Sequence, residues 1–204
     1  RVCALPSGHV SDALDYLGCR AEVLTLDPHS LEEVLDSILT VGQRAGVPGR
    51  ATVLVAGLRA RLDVVAARVA GSAGLTRPRV AVVEWVDPPF TAGHWVPDLV
   101  TAAGGQPVAA RPGAPSEQTT WDDIAGAAPD LVVVAPCGYH LAGAAEQALA
   151  VTAALPGVPV WAIDADGIVV RPGPRLVNGV EALAAIIHPR VVPAAPPGAV
   201  RRVS

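Results

Sequence analysis

Apolar positions follow a helical period over the first third of the chain and then alternate between strand and helix patterns. Ser30-Leu-Glu-Glu33 has the form of an S-x-x-E capping box. It precedes Leu31, Val34, Leu35, Ile38, Leu39 and Val41, which share one helical face. Just upstream, residues 22–27 alternate enough to predict a short strand. Gly46-Val-Pro-Gly49 ends the first helix, and a longer one is predicted over 50–70, with Val53, Leu54, Ala56, Leu58, Leu62, Val65 and Val69 as its apolar set. The Gly/Pro-containing stretch 71–78 breaks that pattern and reads as a hinge.

From residue 79 the grammar changes. Strands are predicted at 79–84, 131–135 and 158–163, each a continuous apolar run of the kind covered on both faces, with weaker ones at 107–110 and 167–170. Helices are predicted at 96–103, 121–127, 141–154 and 176–187, with Thr120 placed to cap the second. This order predicts an α/β fold with a Rossmann-like, mostly parallel sheet and helices on both faces. Residues 189–204 are rich in Pro, Ala and Arg and are expected to form a mobile tail.

Composition narrows the function classes. The 204 residues are 51% hydrophobic and 17% charged, with a mean hydropathy of +0.42, which excludes a disordered chain. Apolar runs are broken well before the ~18 residues a membrane-spanning helix needs. A net charge of −4 supplies no basic stripe for nucleic acid. All fifteen basic residues are Arg and there is no Met, so the chain is expected to be a fragment or a processed form. Cys3, Cys19 and Cys137 have no zinc-like spacing; buried thiols and a Cys3–Cys19 disulfide both remain open.

In an open parallel sheet, ligands bind outside the carboxyl ends of the strands. The loops expected there are Glu84-Trp-Val-Asp-Pro-Pro-Phe-Thr-Ala-Gly-His-Trp95, Pro136-Cys-Gly-Tyr-His140, Asp164-Ala-Asp166 and Arg171-Pro-Gly-Pro-Arg175. Four of the seven aromatic residues, Trp85, Phe90, Trp95 and Tyr139, fall in the first two loops, although the chain is only 3% aromatic. Prolines next to Asp87 and Arg171 stiffen these loops. A rigid aromatic rim with donors at Arg171, Gly138 and Gly173 suits a large, partly planar, amphipathic ligand. His94 is read as a hydrogen-bonded rim residue rather than a metal ligand, and no metal site is predicted. Cys137 with His140 could serve a small α/β enzyme as thiol and base, but no Walker loop or dinucleotide fingerprint is present.

Residues 84–105 resemble the cobalamin-binding substrate-binding proteins of ABC transporters, the vitamin B12 branch of the helical-linker periplasmic binding proteins. Residues 115–123, 129–139 and 171–181 are similar to the same family, and Cys3-Ala-Leu-Pro6 resembles the end of its C-x-x-C-A-x-P segment. The resemblance implies two α/β lobes joined by a rigid helix, with ligand held between them, and a non-enzymatic, extracytoplasmic carrier. By this likeness, 1–48 would be the end of a first lobe, 49–76 the linker helix and hinge, 77–189 the second lobe and 190–204 the flexible tail. It further implies that Trp85, Asp87, Phe90, His94, Trp95, Cys137, Gly138, Tyr139 and Arg171 face a corrinoid, carried as cargo with no resident cofactor. Asp164 or Asp166 would assist Arg171. Asp122 and Asp123 would dock onto arginines of the transporter permease; read from the residues alone, they are a favourable helix N-terminal charge. Haem or a siderophore is the alternative cargo for the same fold.

Overall fold

The structure is a computed structural model that describes residues 7–18, 21–71 and 77–204. Cys3, Cys19 and the centre of the expected hinge, 72–76, lie outside the described residues. The chain opens with three helices: α1 (Ser7–Tyr16), α2 (Leu31–Arg44) and α3 (Pro48–Ala70). Ser30 caps α2 by accepting a hydrogen bond from the Glu33 backbone N–H at 3.1 Å. The capping box does not close on itself, because the Glu33 carboxylate reaches one residue further and accepts from His29 N–H at 2.5 Å. Gly46, with φ +70, supplies the left-handed turn after α2, and Pro48 starts α3 two residues before the predicted position. With 23 residues, α3 is about 34 Å long at ~1.5 Å per residue.

The sheet is built from β1 (Arg79–Val86), β2 (Pro89–Thr91), β3 (Gln106–Pro107), β4 (Leu131–Val134), β5 (Val160–Ile163) and β6 (Val200–Arg202). Its order is β2-β1-β4-β5-β6, with β3 also pairing β1. The β1–β3, β1–β4 and β4–β5 pairs are parallel; β2 and β6 add antiparallel edges. Between the strands lie α4 (Val96–Ala102), α5 (Trp121–Gly126), α6 (Leu141–Ala154), α7 (Ala165–Ile168) and α8 (Leu176–Ile187). The predicted α/β class with a mostly parallel sheet is the one observed.

Alternation along the strands splits the core in two. Val80, Val82 and Val133 face Leu99 and Leu183 on one side of the sheet. Ala81, Val83, Val132 and Val134 face Ile124, Ala144, Ala148 and Val151 on the other. A third cluster, Leu35, Val55, Leu58 and Val177, joins α2 and α3 to α8. α3 is also clamped electrostatically: Arg61 donates through Nε and one terminal nitrogen to the Glu181 carboxylate at 2.9 and 2.6 Å, and to Asn178 Oδ1 at 2.7 Å. Between α2 and α4, Leu31 N–H donates to Asp98 Oδ2 at 3.0 Å.

Three expectations are corrected. Residues 22–27 form no strand: they have no ladder partner among the described residues, and Val23, Leu24 and Leu26 stay exposed. Residues 167–170 are not a strand either, because the Asp164 side chain accepts from Gly167 N–H at 3.2 Å and nucleates the short helix α7. Finally, 189–204 is not a free tail. Val192 is buried, and β6 pairs with β5 through Trp161, Ala162 and Ile163.

Candidate functional site

The regular alternation of β1 is interrupted once. Its register with β2 slips between Val83, opposite Thr91, and Trp85, opposite Phe90. Accordingly Val83 and Val86 point to the same side of the sheet although they are three residues apart. A bulge at Glu84 accounts for both facts and re-aims the end of the strand. Glu84 turns inward, where Oε1 accepts from Gly93 N–H at 3.2 Å and Oε2 accepts from the Ser116 hydroxyl. Burial pushes the Glu84 carboxyl above its ordinary range, and the two hydrogen bonds only partly offset it. Neither Glu84 nor Ser116 was marked as functional by the sequence; a carboxylate ending an apolar strand run was the available signal.

Trp85 turns outward, 38% exposed, and its indole N–H donates to the Asp87 carbonyl at 3.0 Å. Across the strand ends it meets Tyr139, with ring centroids 6.0 Å apart at 59°. Tyr139 is presented by a turn in which its N–H donates to Pro136 O at 3.2 Å and Gly138 adopts φ +81. That is a type II turn, which calls for glycine at its third position. Cys137 is half-buried in the same turn.

The polar side of the rim follows β5. Asp166 N–H donates to the Tyr139 carbonyl at 3.0 Å, which ties this loop to the aromatic pair. Asp166 Oδ1 accepts from Arg171 Nε at 2.9 Å and from a terminal nitrogen at 2.7 Å. His140 Nδ1 lies 2.8 Å from Asp164 Oδ1, and its Nε2 lies 3.6 Å from Asp166 Oδ2. Trp85, Gly138, Tyr139 and Arg171 are thus brought together at the carboxyl ends of β1, β4 and β5, with Asp164, Asp166 and His140 between them.

The other predicted residues sit differently. Phe90 is half-buried opposite Trp85 in the β1–β2 ladder. The Asp87 backbone holds the Trp85 indole, and its side chain is exposed. Trp95 is half-buried: its ring packs against the core and its N–H donates to Val169 O at 2.9 Å. His94, at φ +51, faces His29 from the segment before α2, with ring centroids 5.6 Å apart. Burial lowers the His94 imidazole pKa, His29 lowers it further and Asp27 opposes the shift. Asp123 is held by Thr120, whose hydroxyl donates to its carboxylate at 2.7 Å, whereas Asp122 is exposed at the same helix start. Among the described residues, no group of three or more His, Cys, Asp or Glu is placed to hold a metal ion, and no helix is long and apolar enough to cross a membrane.

Known proteins share this architecture. The chain is similar to a periplasmic haem-binding protein from Pseudomonas aeruginosa, with 25% identity over 98% of this chain and 74% of that one, at a TM-score of 0.75. It is similar in fold to the periplasmic haem-binding protein of Roseiflexus sp. RS-1, with 21% identity, 92% and 73% coverage and a TM-score of 0.73. The periplasmic vitamin B12-binding protein of Vibrio cholerae also shares the fold, with 21% identity, 89% and 69% coverage and a TM-score of 0.62. No curated protein matches the chain. The periplasmic binding protein family matches residues 4–162. The chain therefore belongs to the periplasmic binding protein family.

Proposed function

We propose that this chain is the ligand-binding part of an ABC importer whose cargo is cobalamin or a related corrinoid, captured outside the cytoplasm. The observation that carries the reading is the Trp85–Tyr139 pair, which offers flat apolar area beside a hydrogen-bonding rim. A macrocycle of this kind needs both: apolar contact over its face and directed polar contacts at its edge. In this reading the Trp85–Tyr139 rings cover the macrocycle's apolar face and Arg171 donates to its polar edge. Phe90 and the Asp87 turn hold Trp85 in place, and His94 and Trp95 fix the neighbouring wall. Residues 1–48 belong to the first lobe, 49–76 to the linker and 77–189 to the second. Asp122 and Asp123 present carboxylates to the permease.

The α3–α8 clamp at Arg61 supports a carrier in which lobe motion is small, so that affinity comes from a preformed surface. Haem is the second reading, favoured by the haem-binding proteins among the structural relatives. Iron in haem needs a protein ligand such as His or Tyr, whereas a corrinoid brings its own lower ligand. Titration of the chain with cyanocobalamin and with ferric haem, followed by Trp fluorescence, tests both. Saturable quenching by cyanocobalamin is expected; saturation by haem alone would replace the first reading with the second, and saturation by neither would end both.

A further inference from the structure

On the macrocycle reading above, we propose that Asp166 sets the charge class of the ligand, so that the rim accepts a macrocycle edged with neutral carboxamides and rejects one edged with carboxylates. The cationic and potentially cationic side chains that stand beside Asp166, Arg171 and His140, are already engaged by acids. Arg171 spends Nε and one terminal nitrogen on Asp166 Oδ1, and His140 lies between Asp164 and Asp166. Asp166 is itself largely buried, with its side chain 14% exposed, and its backbone is tied to Tyr139. Its carboxylate therefore stays fixed beside the aromatic pair, rather than swinging into solvent.

Consider a carboxylate arriving at this edge. It finds the Arg171 charge already neutralised by Asp166 and a second aspartate close by, so it must displace Asp166 or accept like-charge repulsion. A carboxamide meets no such barrier. Its N–H groups suit the aspartates, and its carbonyl can take one of the guanidinium N–H groups that Asp166 leaves unused, since Arg carries five. Discrimination here comes from what the rim repels as much as from what it attracts.

The test uses the 204-residue chain with cyanocobalamin as the amide-edged probe and ferric haem as the carboxylate-edged one. Asp166→Asn removes the repulsion and releases Arg171, so the haem-to-cyanocobalamin affinity ratio is expected to rise about tenfold. Arg171→Gln leaves Asp166 unneutralised, so the same ratio is expected to fall, again by about tenfold. Thermal melts establish that each variant is folded, and either variant alone decides if the other is not. A ratio that stays within about twofold of wild type, or that moves the same way in both, overturns the proposal. Wild-type chain that binds neither probe overturns the macrocycle reading itself, and this inference with it.

Discussion

The ring of Tyr139 lies against the bare Cα of Gly143, one turn into α6: a methyl group there would sit 2.5 Å from the ring's Cδ1. Glycine at this position lets the ring lean back over the helix and meet Trp85 on its other side. Gly143→Ala should therefore push the ring off its seat and weaken cyanocobalamin binding about fivefold or more. Alanine is the better helix former by about 0.5–1 kcal/mol, so the melting temperature should change little. Paired titration and melting curves will show whether affinity and stability separate in this way.

Trp85 carries the larger share of the exposed aromatic surface. Trp85→Ala should raise the Kd for cyanocobalamin at least about fivefold, a loss of about 1 kcal/mol or more. Superimposable titration curves for the two proteins would remove Trp85 from the site.

Glu84 makes stability depend on pH. Its folded-state carboxyl is raised by burial, so the folded protein keeps this proton where the unfolded chain has released it. The contribution is fully present below the ordinary carboxylate range and is lost as pH rises through the raised folded value. Glutamine can accept from Gly93 and donate to Ser116 without any charge. The melting temperature of Glu84→Gln relative to wild type should therefore be higher at pH 8 than at pH 4. A gap that is the same at both values would mean that the buried carboxylate is not desolvated in the folded state.

Gly104 closes α4 with φ +85, and a Cβ there would meet His188 Nε2 at 2.6 Å and Val69 Cγ1 at 2.8 Å. The buried His188 bonds the Gly104 carbonyl at 3.2 Å, so this contact gathers α3, α4 and α8. Gly104→Ala combines a backbone penalty with overpacking and should cost about 2–3 kcal/mol. For a domain of this size that lowers Tm by about 5–10 °C in calorimetry.

The two acidic residues of α5 can be told apart. Asp123 donates its N–H to the Thr120 hydroxyl and accepts from that hydroxyl through its carboxylate; Asp123→Ala removes only the second bond and should cost about 0.5 kcal/mol of stability. Asp122→Ala should leave stability and ligand affinity near wild type while lowering ligand-dependent ATPase stimulation of a reconstituted transporter. Unchanged stimulation would assign Asp122 only to the helix dipole.

The parts of the fold that could be read in the sequence are those in which local chemistry and burial agree. The bounds 141–154 and 176–187 coincide with α6 and α8, and β4 is an unbroken apolar run buried on both faces. Residues 22–27 carry strand-like alternation, yet a strand needs a neighbour that the pattern cannot supply. In 167–170 the Asp164 side chain outcompetes the β-forming Val and Ile. β6 escaped notice because Pro and Arg disguise an edge strand, where such residues are tolerated. The strand-end rule anticipates that Trp85, Tyr139 and Arg171 lie at one end of the sheet, because loop chemistry follows strand order. Trp95 lies in the same loop, and only the path of the chain after the bulge turns it against the core. Partners distant in sequence, such as His29 for His94 or Gly143 for Tyr139, leave no local mark.

The extra residue in β1 has a consequence for how this sheet can change over generations. Residues 80–83 answer to the interior, while Trp85, one step beyond the slip, answers to solvent. Because the two stretches are out of phase, the hydrophobic centre can drift in size and shape without swinging the indole off its aim. Loss of a single residue at that point would do the opposite, turning the end of the strand inside out and leaving the aromatic pair dismantled although every helix survived.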